Sequence, residues 1–164
     1  MKVLFAGGGT GGHFYPIIAI ADELRPLLDA QKIASVKMYF VADTPHSERA
    51  LFEHGLIFKK LSTGKRRNYA SVKNFTDIFL TGFACIRAIW MLFVLYPDVV
   101  VGKGGYASFP ALFAARFLRI PVIIHESDAV PGRVNLWAGK FAKRIAISYP
   151  EAASYFPAGK IALT

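Results

Sequence analysis

The sequence predicts a parallel α/β sheet with helices on both faces. Three observations carry that prediction. Short apolar runs alternate with longer helix-like stretches along all 164 residues, the pattern of repeated strand–helix–strand units. One run, Val3-Leu4-Phe5-Ala6, leads straight into Gly7-Gly8-Gly9-Thr10-Gly11-Gly12-His13. Another, Val99-Val100-Val101, leads into Gly102-Lys103-Gly104-Gly105-Tyr106. A glycine loop between a buried strand and a helix lets backbone N–H groups approach a phosphate without side-chain obstruction, and the helix dipole favours the anion. Two such loops in one domain point to a phosphate-bearing ligand at the carboxyl edge of the sheet.

Taken in order, strands are expected near 2–6, 36–42, 56–60, 98–101, 121–125, 143–148 and 160–164, each a short apolar run. Helices should fill 15–28, 45–54, 73–95, 108–118, 132–140 and 150–155. Pro16 suits the first turn of the first helix. Thr44-Pro45 offers a cap followed by a first-turn proline, and Ser108 is placed to cap the helix after the second glycine loop. Between them, 62–73 reads as an exposed loop carrying Lys65, Arg66 and Arg67. The final residues, Lys160 to Thr164, read as a strand with no closing helix, so the chain is expected to be one half of a larger arrangement.

The length fits one domain that buries about 70% of its extended-chain surface. With 54% apolar and 19% charged residues the chain is globular. Its formal net charge of +9 suits an anionic partner such as a phosphorylated substrate or an anionic membrane surface. No zinc spacing, basic helix or aromatic-basic strand signature points to nucleic acid. Cys85, the single cysteine, forms no internal disulfide, which suits a reducing compartment. The four apolar residues after Lys2 are too few for a signal-peptide core.

The apolar stretch 78–96 has the length of a membrane span. Its Leu, Ile, Phe and Val residues favour insertion by roughly 3–6 kcal/mol, against a cost of about 3 for the central Arg87. Composition alone does not decide. The flanking strands do, because a span would put two strands of one sheet on opposite sides of the membrane. A helix apolar nearly all round needs cover on both faces: one face packs on the sheet, and the other is expected to meet a membrane surface beside Lys65, Arg66, Arg67 and Lys73.

Three motifs carry the chemistry. Gly7, Gly9 and Gly12 satisfy G-x-G-x-x-G, and Asp43 stands where a ribose-binding acid would, so a dinucleotide-binding oxidoreductase is one alternative. The second glycine loop has no part in that fingerprint. A P-loop fails, because Gly12-His13-Phe14 replaces Gly-Lys-Ser/Thr. His13, at the helix entry, suits a general base, a phosphate donor or a loop cap. The third motif is His125-Glu126-Ser127-Asp128, with Pro131-Gly132 and Asn135 behind it. It reads either as a partial metal site or as a polar turn held by local hydrogen bonds.

In order and spacing, these three motifs resemble the MurG family of bacterial peptidoglycan N-acetylglucosaminyltransferases, within glycosyltransferase family 28. The resemblance covers essentially the whole chain and only the family's N-terminal half. It implies a Rossmann-like acceptor-binding domain over residues 1–164, the N-terminal half of a GT-B glycosyltransferase, with the C-terminal donor-binding domain absent. The implied reaction transfers GlcNAc from UDP-GlcNAc to the MurNAc 4-hydroxyl of lipid I, with inversion and without a metal or other cofactor. The acceptor, undecaprenyl-diphosphate-MurNAc-pentapeptide, would be met at the cytoplasmic face of the cell membrane by a peripheral enzyme.

Carried onto this sequence, the resemblance makes His13 the general base. It places Gly104, Gly105, Tyr106 and Ser108 near the acceptor diphosphate, and Thr10, Gly11, Gly12 and Asp128 beside the donor. His125, Glu126 and Asn135 line the rest of the cleft. Lys65, Arg66, Arg67, Phe79 and Phe83 fall on the membrane patch. The family's usual third motif is His-Glu-Gln-Asn, and here Ser127 and Asp128 replace its last two residues. A carboxylate at 128 accepts hydrogen bonds without donating one, and it repels a diphosphate unless it faces sugar hydroxyls. A second alternative is a non-catalytic, membrane-recruiting subunit that binds a polyprenyl-diphosphate sugar beside a separate donor-binding chain.

Overall fold

The computed structural model describes residues 1–8, 10–33, 35–63 and 73–164, the side chains of 73–78 excepted. All seven expected strands are present: β1 (Lys2–Gly7), β2 (Lys37–Ala42), β3 (Leu56–Lys60), β4 (Val99–Gly104), β5 (Val122–Glu126), β6 (Arg144–Ile147) and β7 (Ile161–Leu163). They form one parallel sheet in the order β3-β2-β1-β4-β5-β6-β7. The winding reverses between β1 and β4, and a crevice opens at the carboxyl ends of strands at such a point. Both glycine loops leave the sheet there.

Among the described residues five α-helices cover the sheet: α1 (Gly11–Ala30), α2 (Glu48–Glu53), α3 (Lys73–Leu95), α4 (Phe109–Phe117) and α5 (Arg133–Gly139). The strands sort their side chains by alternation. Val3, Phe5, Met38 and Phe40 pack with Phe14, Ile17 and Ala21 of α1 and Leu51 of α2. Leu4, Ala6, Tyr39 and Val41 face the other way, onto Ala88 and Leu92 of α3, Leu112 of α4 and Ala138 of α5. Both faces of the sheet are therefore buried, which is why its strands read as continuous apolar runs.

Four local expectations need correction. Helix α1 begins at Gly11, because the N–H groups of His13 and Phe14 both donate to the Thr10 carbonyl, at 3.0 and 3.1 Å. Pro16 consequently lies inside the helix, as does Pro26. Burial of Phe14 and Ile17 holds a turn that glycine propensity alone disfavours. Helix α2 is capped by Ser47, whose hydroxyl accepts from the Ala50 N–H at 3.2 Å, and not by Thr44. Strand β4 runs on to Gly104, through a register shift that pairs it with Gly7. The segment Pro150–Tyr155 is 3-10 rather than α-helical.

Helix α3 joins β3 to β4 within the one sheet, so it does not span a bilayer. Among the described residues no helix is long and apolar enough to do so. Ala84, Ala88 and Leu92 form its buried stripe. Phe79, Phe83, Ile86, Trp90 and Phe93 are each at least 59% exposed, an apolar stripe on the opposite side. The expected basic loop at Lys65, Arg66 and Arg67 lies outside the described residues, as does the Lys73 side chain.

Phe40 is fully buried, with its ring edge-on to Phe14 at 5.4 Å between centroids. Phe40→Ala should destabilise the domain by about 3–5 kcal/mol, read as a lower urea midpoint with an unchanged m-value.

Candidate functional site

The site is built at the switch point from the ends of β1, β4 and β5 and the first turn of α1. Its centre is the His13 ring, lying between the two glycine loops. A Cβ on Gly8 would stand 2.7 Å from His13 Cδ2, and one on Gly105 would stand 3.1 Å from His13 Nε2. A side chain at 8 would force the imidazole to shift, and one at 105 would press it by a few tenths of an ångström. Gly104 and Gly105 also adopt φ of +91° and +76°, the left-handed region that favours glycine. A Cβ on Gly104 would meet Asn135 Nδ2 at 2.9 Å.

Beside His13, the N–H groups of Gly11 and Gly12 open α1 with no acceptor among the described residues. Thr10 is exposed and makes no side-chain cap, and nothing lies within 4 Å of the Cβ position of Gly12. The N–H groups and the dipole at that end of a 20-residue helix favour an anion. On its other flank, His46 Nε2 and Tyr15 Cε2 come within 3.4 and 3.5 Å of a Gly11 Cβ.

Ser108 does not cap α4. It is buried, and its hydroxyl donates to the Gly105 carbonyl at 2.8 Å, so it braces the loop from behind. Tyr106 begins the 3-10 turn, which the Ser108 N–H closes onto the same carbonyl at 3.2 Å, and is half-buried.

The third motif is a polar turn. Glu126 is 3% exposed, and its carboxylate accepts from the Asp128 N–H (3.1 Å), the Gly132 N–H (3.2 Å) and Asn135 Nδ2 (2.9 Å). With three donors committed to it, this carboxylate shapes the loop after β5. Asn135 Nδ2 also lies 3.3 Å from the His125 carbonyl. His125 Nε2 pairs with Ser148 Oγ at 3.3 Å. The Nδ1 atoms of His13 and His125 and Oδ1 of Asn135 are buried without a partner among the described residues. Asp128 stands exposed at the rim.

Lys103 is the residue that sequence reading missed. Gly-Lys-Gly looks like loop, whereas β4 carries Lys103 to a position only 2% exposed. Its ammonium donates to Ser127 Oγ at 2.6 Å, and its other two N–H bonds have no acceptor among the described residues. Burial lowers its pKa, partly offset by Glu126 and Asp128. His13 is also pushed below its ordinary value, first by burial and then by the Lys103 charge. His125 is lowered for the same two reasons. Both imidazoles are therefore neutral near pH 7.

A family model described as the glycosyltransferase family 28 N-terminal domain matches residues 3–147. The chain belongs to glycosyltransferase family 28. This sets aside the dinucleotide reading of Asp43. Among family 28 relatives, a Treponema pallidum protein is 41% identical over 156 residues, 94% of this chain and 39% of the relative. A Lachnospira eligens protein is 38% identical over 99% of this chain and 44% of its own length. Both are named UDP-N-acetylglucosamine–N-acetylmuramyl-(pentapeptide) pyrophosphoryl-undecaprenol N-acetylglucosamine transferase. The crystal structure of Acinetobacter baumannii MurG superposes with a TM-score of 0.77 at 30% identity, over 99% of this chain and 45% of that one. A UDP-GlcNAc 2-epimerase from Neisseria meningitidis, at 19% identity and TM-score 0.61, covers 100% of this chain and 46% of its own and shares the fold. The chain thus spans roughly two fifths of the length of these curated relatives.

The two lowered imidazoles bind fewer protons in the folded chain than unfolded, so stability is lost as pH falls below about 6.5. The melting temperature should drop between pH 7 and pH 5.5. His125→Gln should flatten that slope in calorimetry at matched ionic strength.

Proposed function

We propose that this chain is the acceptor-binding half of an inverting transferase that moves GlcNAc from UDP-GlcNAc onto the MurNAc 4-hydroxyl of lipid I. The observation that carries this reading is His13, an imidazole held between the two glycine loops at the sheet's switch point, its pKa lowered by burial and by the Lys103 charge. The relatives' shared name supplies the substrates, and a donor-binding half, which the relatives' greater length leaves room for, completes the site.

In this reaction the MurNAc hydroxyl oxygen attacks C1 of GlcNAc and passes its proton to His13. The C1–O bond to UDP breaks, and its electron pair leaves with the diphosphate. A base must be unprotonated at working pH, a state that burial and the neighbouring ammonium favour. The N–H groups of Gly11 and Gly12, with Thr10, lie beside the donor, where the α1 N-terminus stabilises charge building on the leaving diphosphate. Gly104, Gly105 and Tyr106 receive the acceptor diphosphate, and Ser108 holds their loop in shape. His125, Glu126 and Asn135 set the floor of the cleft.

The acceptor is a lipid, and we place the protein peripherally on the cytoplasmic face of the bacterial membrane. The apolar stripe Phe79, Phe83, Ile86, Trp90 and Phe93 supports this, since it leaves large side chains in water beside a chain of net charge +9.

In the assembled transferase, His13→Ala should lower kcat by about 10²–10⁴ with little change in either KM. Near-normal turnover by quenched-flow assay would remove His13 from the base role. A Phe83→Ser/Trp90→Ser variant should bind vesicles containing one third phosphatidylglycerol about tenfold more weakly in sedimentation, at unchanged secondary structure.

A further inference from the structure

We propose that Lys103 is the cationic anchor for a diphosphate in this cleft, its ammonium lacking a counter-charge until the ligand brings one. The proposal deepens the transferase reading and rests on it for the carrier of that diphosphate, a nucleotide or a polyprenyl chain.

The register of β4 against β1 jumps from the pair Ala6–Gly102 to the pair Gly7–Gly104, which leaves Lys103 as the extra residue of a bulge. Bulges beside binding sites re-aim a side chain. The direction taken here follows from the flanking glycines. A Cβ on Gly102 would meet Leu112 of α4, and one on Gly104 would meet Asn135 of α5, so both glycines turn toward the α4–α5 side. Lys103, between them, falls on the opposite face of the sheet. That is the face on which Val101 packs with Phe14 and Ile17 of α1. The first turn of α1 stands at the carboxyl edge of the same face, its Gly11 and Gly12 N–H groups without an acceptor among the described residues.

The ammonium is 2% exposed and donates to Ser127 Oγ at 2.6 Å. A hydroxyl orients an ammonium but carries no charge to balance it. Among the described residues no carboxylate forms an ion pair with Lys103. Glu126, at the end of β5, is committed to the Asp128 and Gly132 N–H groups and to Asn135 Nδ2. An apolar side chain would fill the position without the desolvation cost of a charge, so a buried ammonium with no counterion calls for one from outside the chain. Two N–H bonds of Lys103 and the opening turn of α1 suit two linked phosphates. The glycines at 11, 12, 104 and 105 add no side chain to keep such a ligand away.

The probe is inorganic pyrophosphate, titrated into the isotope-labelled chain and followed by NMR. It should move the Gly11 and Gly12 amide signals together with the Lys103 ammonium signal. Lys103→Met should weaken its binding about tenfold or more. The same variant should melt no lower than wild type, because a buried charge has been removed. A merely structural lysine would lose stability and keep the affinity. A wild-type chain with no shifts at millimolar pyrophosphate, shifts that leave the ammonium unmoved, or a Lys103→Met variant that binds as tightly each overturn the proposal. The ammonium signal is read in wild type, so it decides even if Lys103→Met fails to fold. Uridine diphosphate and farnesyl diphosphate then separate the two carriers: the one that belongs to the site loses the same factor in Lys103→Met. A loss seen with pyrophosphate and with neither carrier would keep the anchor and defeat its tie to the transferase reading.

Discussion

The cleft depends on one steric constraint: an imidazole filling the space between two backbone loops that have no side chains to spare. His13 enters from the first turn of α1, Gly8 belongs to the loop after β1, and Gly105 to the loop after β4. A ring in van der Waals contact with both sets their separation, and with it the width of the opening at the switch point. Because Gly104 and Gly105 sit at positive φ, the second loop turns back toward that ring instead of running on with the strand. Ser108, bonded to the Gly105 carbonyl, and Asn135, packed against Gly104, then hold the turn from behind. A residue positioned to accept a proton is thus also a spacer, and its chemistry and its packing cannot be varied separately.

The sheet was legible because both of its faces are covered. A strand buried on two sides must be apolar throughout, so β1, β2, β4 and β5 announce themselves as unbroken runs, and the glycines that follow mark the ligand edge. Helix starts were harder. Pro16 and Thr44 obey local rules, yet α1 begins earlier because Phe14 and Ile17 gain more from burial than Gly11 and Gly12 lose in the first turn. Lys103 was illegible for a related reason. A lysine between glycines carries every local sign of a loop, and only the run of β4 on to Gly104, past the register shift against β1, carries it into the sheet. His46 had no sequence signal either, since only the fold brings its ring to Gly11. Of the third motif, the sequence left open whether Glu126 binds a metal or ties a turn; three N–H donors on one carboxylate answer that.

The same sheet separates the two tasks that the proposed reaction demands. Its carboxyl edge gathers the polar cluster, and one of its faces carries α3, whose inner stripe is two alanines and one leucine, Ala84, Ala88 and Leu92. Small side chains there let the helix lie close, and the large aromatic residues of the outer side are exposed. Exposing so much apolar surface is unfavourable for an isolated domain in water. It becomes favourable once the outer side meets hydrocarbon, and the excess of cations over anions in this chain strengthens contact with an anionic headgroup layer.

Electrostatics then explains how a cleft can hold carboxylates and still suit a diphosphate. Glu126 points its charge into two backbone N–H groups of its own loop and the side-chain amide of Asn135 on α5, so its field is largely answered locally. The helix N-terminus at Gly11 and Gly12 and the ammonium of Lys103 supply the opposite sign from two further directions. For the proposed reaction, an approaching phosphate would therefore meet a set of fixed donors whose cost of orientation was met on folding. The orphaned nitrogens of His13 and His125 lie within that set, so the histidines stay neutral because charging either one would add a buried cation beside Lys103. Neutral imidazole at the centre and positive charge at the margins is the arrangement that the proposed transfer calls for, a proton taken from a hydroxyl while electrons are drawn toward a departing diphosphate.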